Sequence, residues 1–336
     1  MTTSVKGETG LGSTSWREIG TKYGRTETWR AYTQVVTTLV PLAAGFTLMA
    51  LSLSLPYWVT LLLAIPTAGF LVRTFIIMHD CAHSSFLPSR RMNDAIGALT
   101  GYLTLTPFAQ WRRDHAIHHA SSGDLDRRGH GDVDTITVAE YKARSKKDQF
   151  KYRMKRNPFA LLLVGPLYLT YSQRFRPRSK ATKDKQLYSV WWTNAAIVAT
   201  VVGFALAGLL PEFLMIYGPT MFLAASGGIF LFYIQHQFEG TYWDRKPEWD
   251  YVTASIAGSS YLKLPQPLMW MTGNIGLHHV HHMAPRIPNY LLQEAHDENP
   301  MFHKVTVVTL KDARRAFQLA LWDEERNRLI SFRELK

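Results

Sequence analysis

The chain has 336 residues, 46% of them apolar and 19% charged, with a formal net charge of +12. Its 17 Phe, 15 Tyr and 10 Trp exclude a disordered chain, and its single cysteine, Cys81, excludes a disulfide framework. The mean hydropathy of −0.11 is that of a soluble protein, but the charge is unevenly placed: Ala31 to Val72 holds no Asp, Glu, Lys or Arg, and Gln186 to Phe238 holds only Glu212.

Residues 1–30 form a polar arm without the apolar core of roughly 7–15 residues that marks a cleavable signal peptide. A membrane span needs about 20 apolar residues. Each uncharged run is about twice that length and is broken near its middle, at Leu55-Pro56-Tyr57 and at Leu210-Pro211-Glu212. These runs predict two transmembrane hairpins, 31–78 and 188–238, with spans near 34–54, 58–78, 188–209 and 214–236. A buried soluble bundle is rejected because the runs leave no polar face for water. Trp29 and Tyr32, Tyr57 and Trp58, and Trp191 and Trp192 stand where interfacial aromatic belts belong. Gly203, Gly208, Gly218, Gly227 and Gly228 in the second hairpin read as close helix packing.

Between the hairpins lies region 79–187, with two apolar stretches, 94–110 and 158–171, too short to span. Region 239–336 follows the second hairpin. Its end is expected to form an amphipathic helix, with a Thr309-x-x-Asp312 capping box ahead of Ala313, Ala316, Phe317, Ala320 and Leu321. The segment 79–185 carries 20 of the 38 Lys and Arg, and the hairpin turns carry none. The positive-inside rule therefore puts both termini and both regions in the cytoplasm. The basic charge then serves orientation and anionic headgroups, with no nucleic-acid partner implied. The runs Lys142–Lys155 and Arg174–Lys185 read as amphipathic segments on that membrane surface. The fold class is an all-α membrane protein, four transmembrane helices in two hairpins beneath a helical cytoplasmic cap.

Ten of the 13 histidines fall in four places. They are His79-Asp80-Cys81-Ala82-His83, His115-Ala116-Ile117-His118-His119, a lone His236, and His278-His279-Val280-His281-His282. His-x-x-His-His is expected by chance about 0.02 times in such a chain and occurs twice. Residues three and four apart share a helix face. His79 and His83 thus point together, as do His115, His118 and His119, and as do His278, His281 and His282, while His279 turns away. Converging imidazoles are metal ligands. Nine of them exceed one tetrahedral zinc site, so two metals are the simplest reading. The set lies at the cytoplasmic ends of spans two and four. An all-imidazole pair of metals at a hydrocarbon boundary points to iron and O₂ acting on unactivated C–H bonds; softness rules admit iron without fixing it. Asp80, Asp114, Asp124, Asp126 and Asp132 are close enough in sequence to orient a ligand. Arg127 and Arg128 either hold a lipid phosphate or pair with those acids. Cys81 points off the ligand face.

With these boxes, the chain resembles the membrane fatty acid desaturases, most of all the bacterial acyl-lipid type related to Δ12 or omega-6 enzymes. The resemblance runs over about residues 35 to 300. It rests on His79 to Phe86, Asn93-Asp94, Trp111 to His119, Ser122 to Gly129, Tyr233 to Phe238, Gly273 to Leu277, and Pro285-Arg286-Ile287-Pro288-Asn289-Tyr290. It implies two iron ions held by His79, His83, His115, His118, His119, His236, His278, His281 and His282, with O₂ as co-substrate. It also implies insertion of a cis double bond into a lipid-linked acyl chain, electrons from a separate ferredoxin-like donor, and residence in a bacterial inner membrane. Two departures are Ala82, where many relatives have Gly, and Phe232, where acyl-CoA desaturases offer an Asn four residues before the lone histidine. Asn274 is a candidate substitute for that Asn. A carotenoid or alkane hydroxylase or ketolase on the same scaffold is the alternative. A metal transporter is disfavoured because the spans hold only Arg73 and the turn residue Glu212, and a ferritin-like soluble desaturase because no Glu-x-x-His occurs.

Overall fold

The computed structural model describes residues 15–129, 133–175 and 184–335. A short arm helix, α1 (Trp16–Tyr23), is started by a capping box between Ser15 and Glu18 and buries Ile19 and Tyr23. The first hairpin is α2 (Thr28–Ser52) and α3 (Tyr57–Ala82). Next come α4 (Arg90–Leu103) and α5 (Phe108–Ser121), strand β1 (Ile136–Thr137), and helices α6 (Val138–Ala143) and α7 (Lys146–Lys155). A π-helical turn at Ala160–Val164 leads into α8 (Gly165–Phe175), and the second hairpin is α9 (Asp184–Leu206) and α10 (Leu210–His236). The rest of the cap comprises α11 (Tyr251–Ala257), β2 (Tyr261–Leu262), α12 (Gln266–Met271), α13 (His278–Met283), α14 (Leu292–Glu298), β3 (Val307–Val308), α15 (Ala313–Ala316), β4 (Leu319–Asp323) and β5 (Arg328–Ser331).

Among the described residues, α2, α3, α9 and α10 are long and apolar enough to cross a membrane. They are 23 to 27 residues long, about 35–40 Å at 1.5 Å per residue, and so outrun a ~30 Å hydrocarbon layer. The excess matters for the site. Hydropathy places the end of span two near residue 78, but α3 runs on to Ala82 because Met78, His79, Asp80 and Cys81 are buried in the cap, where protein replaces lipid. Arg73, well inside α3, is buried. Its Nε donates to Thr38 Oγ1 at 3.1 Å, its Nη1 donates to the Trp270 carbonyl, and its guanidinium lies 4.0 Å from the Trp270 ring centroid. These contacts replace the water that an intramembrane cation lacks.

Exposed apolar side chains ring the spans, as lipid contact requires; Leu206 is 86% exposed. The stretch 158–171 does not span. It lies along α10, where Ser226 Oγ donates to the Leu162 carbonyl at 2.8 Å, and leaves Phe159, Leu167, Tyr168 and Tyr171 exposed. The glycines of the second hairpin do not mediate close packing. A Cβ placed on Gly203, Gly208, Gly218 or Gly228 meets nothing within 4 Å, and one on Gly227 only just touches Val72 at 3.9 Å.

Two expectations for the cap are corrected. The end of the chain is not an amphipathic helix. Thr309 donates its N–H and Oγ1 to Asp312 (2.8 and 2.7 Å), but only four helical residues follow before β4 and β5 form an antiparallel pair beside parallel β1. Leu319 to Trp322 are buried on both faces, which is the signature of a core strand and hides its period of two. The run Lys142–Lys155 does not lie on lipid by an apolar face. Its buried residue, Tyr152, packs with Tyr141, Ile136, Leu321 and Ile330 and donates to the Ala320 carbonyl at 2.6 Å. Of the run Arg174–Lys185, residues 176–183 lie outside the described residues.

Trp322 is buried among Leu125, Trp243, Leu319 and Leu329. Trp322→Ala is expected to lower stability by about 3–5 kcal/mol, whereas Trp192→Ala, at a side chain 75% exposed on α9, changes it by about 0.5 kcal/mol or less. Thermal unfolding in detergent compares the two.

Candidate metal centre

Four elements deliver the histidines. The C-terminal end of α3 carries His79 and, as its C-cap, His83. One face of α5 presents His115, His118 and His119, His236 is the last residue of α10, and α13 supplies His278, His281 and His282. Their ring nitrogens collect into two groups. His79, His83, His115, His119 and His281 form one, and His118, His236, His278 and His282 the other, with the nitrogens of each group within 4.8 Å of one another. These are the nine residues singled out in the sequence, eight by their spacing and His236 by its place at the end of a span. His279 turns away, as expected, and its Nε2 lies 3.2 Å from His296 Nδ1. His303 donates to the His296 carbonyl at 2.9 Å, and His130 lies outside the described residues.

The geometry suits cations. Nε2 of His281 is 3.0 Å from Nε2 of His119, which is 3.1 Å from Nε2 of His115. In the other group, Nε2 of His278 is 3.0 Å from that of His236 and 3.1 Å from that of His282. The outer nitrogens set the tautomers. Nδ1 of His236 faces the Gly258 carbonyl at 3.2 Å, which only accepts, so that nitrogen carries the proton and Nε2 turns a bare lone pair inward. Nδ1 of His79 faces Asp80 Oδ1 at 3.1 Å with the same result. Nε2 of His83 is buried without any hydrogen-bond partner among the described residues. Buried lone pairs facing one another are what a metal resolves. Burial first, and the neighbouring imidazoles second, hold His83, His115, His119, His278, His281 and His282 well below the ordinary histidine range. They are therefore neutral, the form a metal ligand needs.

Aromatic side chains wall the cage. Trp111 stacks on His115 at 4.3 Å and meets Phe75 edge-on at 5.3 Å, and Phe232 lies 5.4 Å from His118 and 5.3 Å from His236. A small cavity of about 10 Å³ touches His118 and His236 and is bounded by Ser122, Gln237, Tyr242 and Gly258.

Residues 52–307 match the fatty acid desaturase family. The chain is also 42% identical over 315 residues to a fatty acid desaturase of Bacillus subtilis, covering 94% of this chain and 89% of that protein. The chain belongs to the fatty acid desaturase family. A temperature-sensitive sn-2 acyl-lipid omega-3 desaturase (ferredoxin) of Arabidopsis thaliana chloroplasts is 28% identical over 66% of this chain, and a chloroplastic omega-3 fatty acid desaturase of Glycine max 26% over 82%. The chain spans 52% and 62% of these two plant proteins. The protein is thus a desaturase enzyme of the membrane, acting on a lipid substrate.

Of the acids expected near the ligands, only Asp80 reaches one among the described residues of the desaturase. Asp114 accepts from Gln110, Asp124 from Arg127, and Asp126 from Arg245; Asp132 lies outside the described residues. Arg127 and Arg128 both pair with acids, Arg128 reaching Glu140 through two hydrogen bonds of 2.6 and 2.8 Å. Cys81 packs in an apolar cluster with Ile77, Met78, Phe86 and Phe108. Asn274, in a left-handed conformation with φ 56°, turns the chain ahead of α13 and accepts the Leu277 N–H at 2.9 Å.

Spacing gave no sign of three contributors: the Gly258 carbonyl, Trp111 and Asn289. For Trp111 and Asn289 a signal existed, their places in the Trp111 to His119 and Pro285 to Tyr290 runs shared with the family, but neither side chain is itself a metal ligand.

Gly273 has φ 55°, and a Cβ on it would lie 2.7 Å from Ile76 Cγ2 and 3.1 Å from Asn289 Oδ1. Gly273→Ala is expected to destabilise the desaturase by about 1–3 kcal/mol, seen as a lower unfolding midpoint, because both strain and a clash fall five residues before His278.

Proposed function

We propose that this desaturase introduces a cis double bond into the acyl chain of a membrane lipid, using two irons, O₂ and two electrons from a separate ferredoxin-like donor. The observation that carries the reading is the sorting of nine imidazoles into a group of five and a group of four at the C-terminal ends of α3 and α10. His79, His83, His115, His119 and His281 hold one iron, and His118, His236, His278 and His282 the other. When bound, the irons activate O₂ for removal of hydrogen from unactivated methylenes. An all-imidazole donor set brings no negative charge to the metals, which favours a strongly oxidising centre.

The chain's own contribution is placement and exclusion. His79 and His236 have their outer nitrogens fixed by Asp80 and Gly258, so their rings keep one orientation. Phe75, Trp111 and Phe232 give the cage a dry wall against which two neighbouring methylenes are held in reach. The balance is one –CH₂–CH₂– unit, O₂, two electrons and two protons to one –CH=CH– unit and two waters. The name of the Arabidopsis relative includes ferredoxin, which supports a donor of that kind, and the basic cap offers it a docking face. The charge distribution supports both termini in the cytoplasm, and the Bacillus relative supports a bacterial inner membrane.

Expression in a host lacking polyunsaturated lipids, with double bonds located by mass spectrometry, tests this reading. New cis-unsaturated acyl lipids are expected. A hydroxylated product would move the chain to the hydroxylase reading. His118→Ala is expected to insert normally but to lose iron, with turnover down at least about 100-fold; full activity in that variant would refute the ligand assignment.

A further inference from the structure

We propose that Asn289 is a positioning residue for the five-imidazole half of the centre, acting through Asp80 on His79. The inference rests on the proposed ligation. It absorbs a run, Pro285 to Tyr290, that the reaction so far leaves without a task.

The contact is direct and buried. Asp80 and Asn289 are each 2% exposed. Asp80 Oδ2 accepts two hydrogen bonds from Asn289, from its backbone N–H at 2.6 Å and from its amide Nδ2 at 2.8 Å. Asp80 Oδ1 then faces His79 Nδ1 at 3.1 Å. Among the described residues no Lys or Arg pairs with this carboxylate, so Asn289 supplies two of its three hydrogen-bond donors. A carboxylate pinned at one oxygen cannot rotate its other oxygen away from the imidazole. That fixes the His79 tautomer and turns its Nε2 into the cage.

The loop that carries Asn289 is itself anchored. Tyr290 Oη donates to the Phe86 carbonyl at 3.1 Å and accepts the Glu27 N–H at 3.0 Å, and Arg30 donates to the Tyr290 carbonyl at 3.1 Å. The same loop leaves α13 a few residues after His281, which belongs to the same group of five. Asn289 thus ties the first histidine box to the third across 209 positions of sequence. The geometry makes the link specific to one half of the centre, since among the described residues the group of four contains neither His79 nor any other hydrogen-bond partner of the Asp80 carboxylate.

The test compares Asn289→Leu, Asn289→Asp and the swap Asp80→Asn/Asn289→Asp with wild type and with Tyr290→Phe, which loosens the loop without touching Asp80. The purified protein is loaded with ⁵⁷Fe, challenged with a chelator and followed by iron count and Mössbauer spectrum. In Asn289→Leu, one of the two iron signals is expected to change and to be lost about 10–100-fold faster, while the other keeps wild-type behaviour. Asn289→Asp sets two carboxylates together and is expected to be worse, and the swap, which restores an amide–carboxylate pair, recovers part of the loss. Wild-type iron release in Asn289→Leu, equal loss of both signals, or the same loss in Tyr290→Phe would overturn the proposal. A wild-type protein that binds fewer than two irons would instead sink the ligation on which it rests.

Discussion

Nine imidazoles packed ring against ring, seven of them buried and His83 and His115 half-buried, are the constraint around which the desaturase is built. Their inner nitrogens approach to about 3 Å, with outer hydrogen bonds that leave lone pairs pointing inward. Without cations that arrangement is a concentrated cost, because buried acceptors face other acceptors in a site walled by aromatic side chains. With a cation in each group, the proposed state, the same lone pairs become bonds. Much of the cap's stability is then expected to reside in metal binding.

The membrane hairpins serve this constraint through their length. α3 and α10 outrun the hydrocarbon layer and deliver His79, His83 and His236 into the cap. The aromatic wall at Phe75, Trp111 and Phe232 keeps apolar character right up to the rings. Oxidation of an acyl chain held in a membrane needs that juxtaposition: a metal-binding donor set within reach of a chain that never enters water. Arg73 and Trp270 secure the same junction from the other side, by tying α12 to α3.

What the sequence made legible follows from how local each signal is. The spans were visible because 42 consecutive uncharged positions give a soluble fold no polar face to turn to water, and the ligands because i, i+3 and i+4 spacing is a property of a single helix turn. Even the exclusion of His279 could be read from that rule. The grouping into five and four could not, since His118 and His119 are neighbours in sequence yet serve different groups. The terminal sheet was missed because a strand buried on both faces shows no alternation. The glycines of the second hairpin misled because small residues mark close packing only where they face a neighbouring helix, and four of these five face open space among the described residues. The run that holds Asn289 was legible as a family likeness, but its task was not, because it acts at second hand, on a carboxylate 209 positions away.

The most direct measurement is the metal count and coordination of the purified desaturase after anaerobic reconstitution, by elemental analysis and X-ray absorption. The account predicts two irons per chain, with a first shell dominated by imidazole nitrogen. A single metal per chain, a tetrahedral zinc, or a shell built on carboxylate oxygens would contradict it.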